Sequence, residues 1–372
     1  MRVGVPREVK NHEYRVALTP AGVTELLRSG HEVVIEHDAG AGSLIPDADF
    51  VAAGAQILPS ADDVWAAADL VLKVKEPVAE EYHRMRSGQT LFTYLHLAAS
   101  AECTKALLSS GIDAVAYETV QLPDLSLPLL APMSEVAGRM APQCGAHSLE
   151  RAQGGRGVLL GGVSGVYAAT VVVIGAGVAG MNAAAIALGM QAEVILLDRN
   201  VEKLRTADRM YQGHLQSVTS NSYELERAVL GADLVIGAVL VAGGRAPMVV
   251  TDAMVRGMKR GAVIVDVAVD QGGCVETTHE TTHSVPVYEV HGVLHYAVGN
   301  IPGSVPHTST YALTNATLPY VLAVAEGGVG PAVARDLALR AGVNTVGGRV
   351  TNPAVAEALG VEAVDPVAEL AG

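Results

Sequence analysis

Three glycines and one acid give the first chemical signal. Gly175, Gly177 and Gly180 stand in the spacing G-x-G-x-x-G, and Asp198 follows 18 residues after the last of them. Gly175 permits a sharp turn, Gly177 lets the backbone approach a pyrophosphate, and Gly180 lets a helix pack close to a strand. The pyrophosphate then rests on the helix N-terminus, where free N–H groups and the helix dipole favour an anion. Asp198 falls where an acid grips the adenosine ribose. Its charge would repel a 2′-phosphate, which favours NAD over NADP, although the adjacent Arg199 keeps some NADP use open.

A second set of candidates comes from asking which polar groups end apolar strands, because ligands in open α/β sheets sit beyond the carboxyl ends of the strands. Lys75 ends Asp69–Lys75 (DLVLKVK), on the same face as Lys73. His96 ends Leu91–His96 (LFTYLH), and Asp270 ends the run AVIVDVAVD, four residues after Asp266. Arg15 closes the charged loop REVKNHEYR. Singly, each has an ordinary alternative: a lysine pair on an exposed edge strand, a satisfied core histidine, an acid that caps a turn, a solvated arginine. Together they form a coherent set of two cations for a carboxylate, a histidine as acid/base and an acid beside it.

These residues need elements to hold them. Val171–Ile174 is a β-branched strand, Val178–Met190 a helix, and Val194–Leu197 the next strand. This unit carries no charge between Gly157 and Ala192. The glycine turn argues against a membrane helix there, since parallel strands buried on both faces also read as unbroken apolar runs. Before it, strands are expected at Arg2–Pro6, His31–Ile35, Asp69–Lys75, Leu91–His96 and Asp113–Thr119, with helices between. Thr19-Pro20 opens the first of these helices. Ser134-Glu135 opens a long helix in which Pro142 should produce a kink or a break. After the dinucleotide unit come strands at Ser217–Ser220, Leu234–Leu240, Ala262–Ala268, Val287–Val290 and Leu294–Val298, and then one long helix, Val305–Ala325. The tail, with two short helices and a strand at Asn344–Val346, is too short for its own domain and should fold back on the first half. The fold class is α/β: two Rossmann-like, doubly wound parallel-sheet domains.

Composition agrees. Half of the 372 residues are apolar and 17% are charged, which suits a globular chain with sizeable cores. A net charge of −14 argues against nucleic acid and anionic membranes as partners. Cys103, Cys144 and Cys274 are too widely spaced for a metal site or a disulfide framework, so no metal is expected and a reducing cytoplasm is.

The chain resembles the alanine dehydrogenase/pyridine nucleotide transhydrogenase family. The stretches that carry this are MRVGVPREVKNHEYRVALTPAGV, LVLKVKEP, FTYLHLAAS, LPLLAPMSEVAGRMA, VVVIGAGVAGMNAA, DLVIGAVLVAG, VIVDVAVDQGGC and VPHTSTYALTNATLPYV. The resemblance weakens after about Glu326. It implies that Arg15 and Lys75 contact the substrate carboxylate and keto oxygen, that His96 is the catalytic acid/base, and that Asp270 is the second catalytic residue. Ser134, Val178, Ala179, Asp198, Lys203, Ser220, Val239, Leu240, Val267, Ala268, Val269, Asp270, Val298, Gly299, Asn300 and Ile301 match its NAD-contacting segments, beside the fingerprint glycines. The substrate domain would be built from both chain ends, 1–128 with 306–372, around an NAD-binding domain at 129–305.

The implied reaction is reversible oxidative deamination of L-alanine by NAD⁺ to pyruvate and ammonia, in a cytoplasmic homohexamer. A transhydrogenase-like NAD(H)-binding subunit and a dehydrogenase for another amino acid are the alternatives. Gly299 stands where the family pattern has Ala, which would loosen the wall of the nicotinamide site.

Overall fold

The computed structural model describes residues 1–239, 247–269 and 272–370. The chain divides into two compact units, Met1–Met133 with Val305–Gly372, and Ser134–Ser304. The strands in chain order are β1 (Arg2–Val5), β2 (Glu32–Glu36), β3 (Gln56–Leu58), β4 (Leu70–Leu72), β5 (Thr90–Thr93) and β6 (Asp113–Ala116), then β7 (Thr170–Ile174), β8 (Glu193–Asp198), β9 (Gln216–Thr219), β10 (Leu234–Gly237), β11 (Val263–Asp266), β12 (Val287–Val290) and β13 (Val293–Tyr296), and finally β14 (Val343–Val346) and β15 (Arg349–Val350).

Both units carry the same strand permutation. The first sheet runs β3-β2-β1-β4-β5-β6-β14-β15 and the second β9-β8-β7-β10-β11-β13-β12. In each, the order reverses beside the first strand, between β1 and β4 and between β7 and β10. These are the topological switch points at which open α/β sheets bind ligands. Strands β1 to β6 run parallel to one another, as do β7 to β11 with β13.

The sheets depart from the all-parallel expectation at one edge each, where β12 pairs antiparallel with β13 and β14 with both β6 and β15. Turn chemistry is the reason for the β12–β13 and β14–β15 pairs. His291-Gly292 (φ 54° and 81°) and Gly347-Gly348 (φ 54° and 85°) are two-residue turns with positive φ at both positions. Such turns join antiparallel strands. The tail therefore holds two strands, and four short helices (Val329–Arg335, Leu337–Gly342, Pro353–Leu359 and Pro366–Leu370) in place of the two expected.

Alternation along the strands builds the second unit's core. Val171 and Val173 of β7 face one cluster, with Ala183, Ala184 and Ala187 of the helix Val178–Gly189 and Ala137 and Ala141 of the helix Ala131–Ser148. Val172 and Ile174 face the other, with Leu225, Ala228 and Val229 of the helix Ser222–Gly231. Successive side chains of a strand point to opposite faces, and both faces here are covered, so the run reads as continuously apolar. The helix Ala131–Ser148 continues through Pro142 without a break. Among the described residues no helix is long and apolar enough to cross a membrane. Leu129–Met133, expected with the dinucleotide-binding part, lie in the first unit, where the Tyr94 hydroxyl donates to Leu129 O at 2.6 Å.

In the first unit β4 stops at Leu72, so Lys73 and Lys75 lie beyond the strand and not on an exposed edge of it. Lys73 is 1% exposed. Its Nζ stands 3.1 Å from Glu8 Oε2 and 2.9 Å from Glu81 Oε1. Burial disfavours its charge, but the two carboxylates outweigh burial and hold the ammonium above its ordinary range. Glu8 Oε1 also accepts the Val74 N–H at 2.6 Å, which takes that donor away from the strand ladder. Lys73→Met should destabilise the protein by about 3–5 kcal/mol by leaving two buried carboxylates without their cation. Urea unfolding checks this, and an unchanged midpoint would remove Lys73 as a structural strut.

Candidate active site

The loop after β1 and the end of β4 flank the first unit's switch point, and they carry Arg15 and Lys75. Arg15 is 2% exposed, so it is not a solvated loop residue. Its Nε and Nη2 donate to Glu13 Oε1 and Oε2 at 2.7 and 2.6 Å, and Nη1 lies 3.0 Å from Met133 Sδ. Burial alone would raise the Glu13 carboxyl; the charge and hydrogen bonds of Arg15 outweigh it and hold it down at about 2. Lys75 moves the other way: burial, then repulsion from Arg15, takes its ammonium below the ordinary lysine value. Two cations are thus kept within electrostatic reach of each other, with Glu13 as the fixed partner of one. A planar fork beside a partly desolvated ammonium suits a carboxylate carrying an adjacent oxygen.

His96 follows β5, the next strand along the same carboxyl edge. The strand ends at Thr93, and His96 takes a left-handed backbone conformation (φ 49°) at the start of a short turn. A non-glycine residue rarely adopts this. Glu118, just past β6, fixes it: Oε1 accepts the His96 N–H at 2.6 Å, and both carboxylate oxygens accept the Leu95 N–H at 3.2 Å. The His96 ring stacks parallel to Tyr94 with centroids 6.0 Å apart, and its Nδ1 lies 4.0 Å from Glu118. The side chain is 31% exposed, which does not fit a core histidine. Burial raises the Tyr94 hydroxyl above its ordinary range, against the opposing charge of Arg15.

The second unit places the fingerprint at its own switch point. Gly175 has φ 105°, and a Cβ there would meet Ala238 O at 2.6 Å. A Cβ on Gly180 would collide with Gly175 O, so the helix Val178–Gly189 can pack this close only with glycine. Gly177, by contrast, faces open space, and Val178 is 44% exposed at the helix start. Backbone N–H groups there are accessible to an anion. Asp198 ends β8 and ties the turn down: Oδ2 accepts the Ala176 N–H and Oδ1 the Asn200 N–H, each at 2.7 Å. Each oxygen keeps a further lone pair that a ribose hydroxyl can use.

The remaining cofactor candidates line the same edge. Lys203 is exposed in the first turn after Asn200. Ser220 donates its N–H to Asp198 O at 2.9 Å. Val239 follows β10, while Val267, Ala268 and Val269 follow β11. Ser134 and Gly138 share the helix Ala131–Ser148, and a Cβ on Gly138 would collide with Ala179 O, which brings that helix against the fingerprint turn. After β13, the side chains of Val298 and Ile301 are buried. Asn300 stands at φ 68° with its carbonyl 3.1 Å from His283 Nε2. At Gly299, the space an alanine methyl would fill is taken by the Glu280 carboxylate, so the wall there is filled and not loosened. Asp270 and Leu240 lie outside the described residues.

Of the two acids in AVIVDVAVD, Asp266 is the turn cap. It is buried and accepts the N–H groups of Ala268 (3.1 Å) and Cys274 (3.0 Å). Glu118, Glu13, Glu8 and Tyr94 were absent from the sequence-derived set. Glu118 obeys the same strand-end rule as His96, since it follows the apolar run of β6. Glu8 and Glu13 sit in a charged loop whose sequence looks solvated.

Comparison with known proteins accounts for both units. The family description "Alanine dehydrogenase/PNT, N-terminal domain" matches residues 4–137, and "Alanine dehydrogenase/PNT, C-terminal domain" matches 141–353. The chain is 60% identical to an alanine dehydrogenase of Mycobacterium tuberculosis (strain CDC 1551 / Oshkosh) over 100% of both chains. It is 56% identical to one of Halomonas elongata over 98% of both. A solved L-alanine dehydrogenase superposes with a TM-score of 0.93 at 53% identity, covering 97% of this chain and 99% of that one. A transhydrogenase structure from Sinorhizobium meliloti gives 0.80 at 28% identity, covering 95% and 100%. The chain belongs to the alanine dehydrogenase/PNT family.

Proposed function

We propose that the protein is an L-alanine dehydrogenase that converts L-alanine, NAD⁺ and water reversibly to pyruvate, ammonia and NADH. The observation that carries this is the buried Arg15 beside the desolvated Lys75 at one switch point, with His96 on the same sheet edge. The names of the full-length relatives support alanine as the amino acid.

The cradle of Gly175, Gly177 and Gly180, with Ser134, Asp198, Lys203, Ser220 and the segments after β10, β11 and β13, would hold NAD. When bound, NAD⁺ would supply the acceptor for the hydride on Cα of alanine. The chain's own residues do the rest. Glu13 takes the Nε/Nη2 side of the Arg15 guanidinium, and the substrate carboxylate takes the Nη1/Nη2 side in place of a thioether, which is a weak acceptor. Lys75 donates to the oxygen that becomes the keto group. His96 takes a proton from the water adding to the imine carbon and returns it to the departing amine, as a general base and then a general acid. Asp270 keeps the role that the family resemblance gives it, as the acid that balances this proton transfer.

We place the protein in the cytoplasm, in keeping with its free cysteines, and assign a homohexamer. Leu159, Val163, Val166 and Tyr167 are 65, 62, 64 and 97% exposed on one hairpin-like segment. A cluster of this kind suits burial against other copies. Light scattering should give six copies for the parent protein and fewer for Tyr167→Asp; an unchanged assembly would exclude this segment.

Turnover is read from reduced-nicotinamide absorbance with L-alanine and NAD⁺, with NADP⁺, glycine, L-serine and L-lysine as controls. Strong turnover is expected with L-alanine and NAD⁺. His96→Ala should lower it by roughly 10²–10⁴ while NADH binding persists. NADH binding without turnover of any amino acid would move the protein to the transhydrogenase-like class.

The pH dependence has a definite sign. With its proton affinity lowered, Lys75 loses its charge at a lower pH than an ordinary lysine. The KM for pyruvate should therefore rise on the alkaline side before pH reaches about 10.4, the ordinary lysine value. Lys75→Arg should flatten that rise; a limb that survives the substitution would assign it to another group.

A further inference from the structure

The stretch VPHTSTYALTNATLPYV has no role in the chemistry so far. It forms the first turns of the helix Pro306–Gly327, and its Thr310 is fully buried. Thr310 Oγ1 accepts the Val16 N–H at 3.1 Å and lies 2.8 Å from Ser43 Oγ. Ser43, also fully buried, lies 3.0 Å from Tyr14 O and 3.2 Å from Pro306 O. Each hydroxyl has one proton to donate. One assignment uses both: Val16 N–H donates to Thr310 Oγ1, Thr310 donates to Ser43 Oγ, and Ser43 donates to Tyr14 O.

That chain starts on the residue after Arg15 and ends on the residue before it. The turn carrying Ser43 can reach the loop because Gly42 lacks a side chain, whose Cβ would lie 2.7 Å from Tyr14 O and 2.8 Å from Tyr14 Cβ. Glu13 orients the guanidinium and accepts the Arg15 N–H at 3.1 Å, and the two hydroxyls hold the main chain of the residues on either side of it. All of these groups belong to one unit.

We propose that Thr310 and Ser43 form a hydroxyl bracket that positions Arg15 for the substrate carboxylate, so that they are positioning residues for the amino acid and keto acid and not for the dinucleotide. This rests on the proposed role of Arg15. A bracket acting through Arg15 moves carboxylate affinity and leaves nicotinamide binding alone; a purely structural role would move both or neither.

The test uses full-length Thr310→Val, which keeps the shape and loses both hydrogen bonds, with Thr310→Ser as the conservative rescue and Ser43→Ala as an independent break. The readouts are KM for L-alanine, pyruvate binding by calorimetry, and NADH affinity. Thr310→Val should raise KM for L-alanine and weaken pyruvate roughly tenfold to a hundredfold, with NADH affinity within about twofold of the parent. Thr310→Ser should restore most of the loss, and Ser43→Ala should reproduce it. Unchanged pyruvate binding in Thr310→Val, an equal loss of NADH and pyruvate, or no rescue by serine would overturn the bracket. If Thr310→Val does not fold, Ser43→Ala and Thr310→Ser decide by the same readouts. A parent protein that binds pyruvate without turning over L-alanine would sink the functional reading alone, the bracket then being judged on pyruvate binding; a parent that binds no carboxylate would overturn both.

Discussion

The ammonium of Lys73, enclosed by Glu8 and Glu81, is the constraint on which the first unit's chemistry depends. Three segments meet there: the loop after β1, which is remote in sequence from the other two, the end of β4 and the turn leading to β5. A charge of this kind cannot be left half-paired without a large cost, so the three segments have essentially one arrangement. The same Glu8 accepts the Val74 N–H, which sets the main chain leading into Lys75. Glu13 on the same loop then fixes Arg15. On the segment after β4 the buried cation Lys73 stands two residues before Lys75, and on the loop after β1 the buried acid Glu13 stands two residues before Arg15.

The second unit solves the same problem with neutral donors. Asp198 ends β8 and accepts the N–H groups of Ala176, in the turn after β7, and of Asn200, while Asp266 ends β11 and accepts those of Ala268 and Cys274. A carboxylate on main-chain donors sets a turn without another side chain. Glu118 uses this device in the first unit, where it holds His96 in a conformation that a histidine would not choose alone. An acid at or just past a strand end is therefore the recurring joint of both sheets.

This explains what could be read from the sequence. The fingerprint of Gly175, Gly177 and Gly180 was legible because its glycines answer to steric limits that no other residue satisfies. The alternation of apolar runs and helices gave two α/β sheets. The strand permutation was not legible, because it is decided by which strands pair across the chain. The edge strand β15 had a signal in Gly347-Gly348, which a reading confined to apolar runs passes over. Lys73 and Lys75 looked alike as neighbours on a strand, and only three-dimensional partners separate the strut Lys73, held between two carboxylates, from Lys75. Glu13 and Arg15 looked solvated for the same reason: a charged loop gives no sign that its charges are meant for one another.

The return of the tail to the first sheet has a consequence for synthesis. The middle unit draws all of its strands from one continuous stretch, so it can fold as soon as that stretch leaves the ribosome. The first unit cannot. Its strand β6 waits, with one edge unpaired, until Val343–Val346 arrives to cover it. An open strand edge is a template for pairing with other chains, and a pairing this distant in sequence closes slowly. The nascent protein therefore carries its aggregation hazard at β6, for as long as translation of the middle unit and the last helices takes.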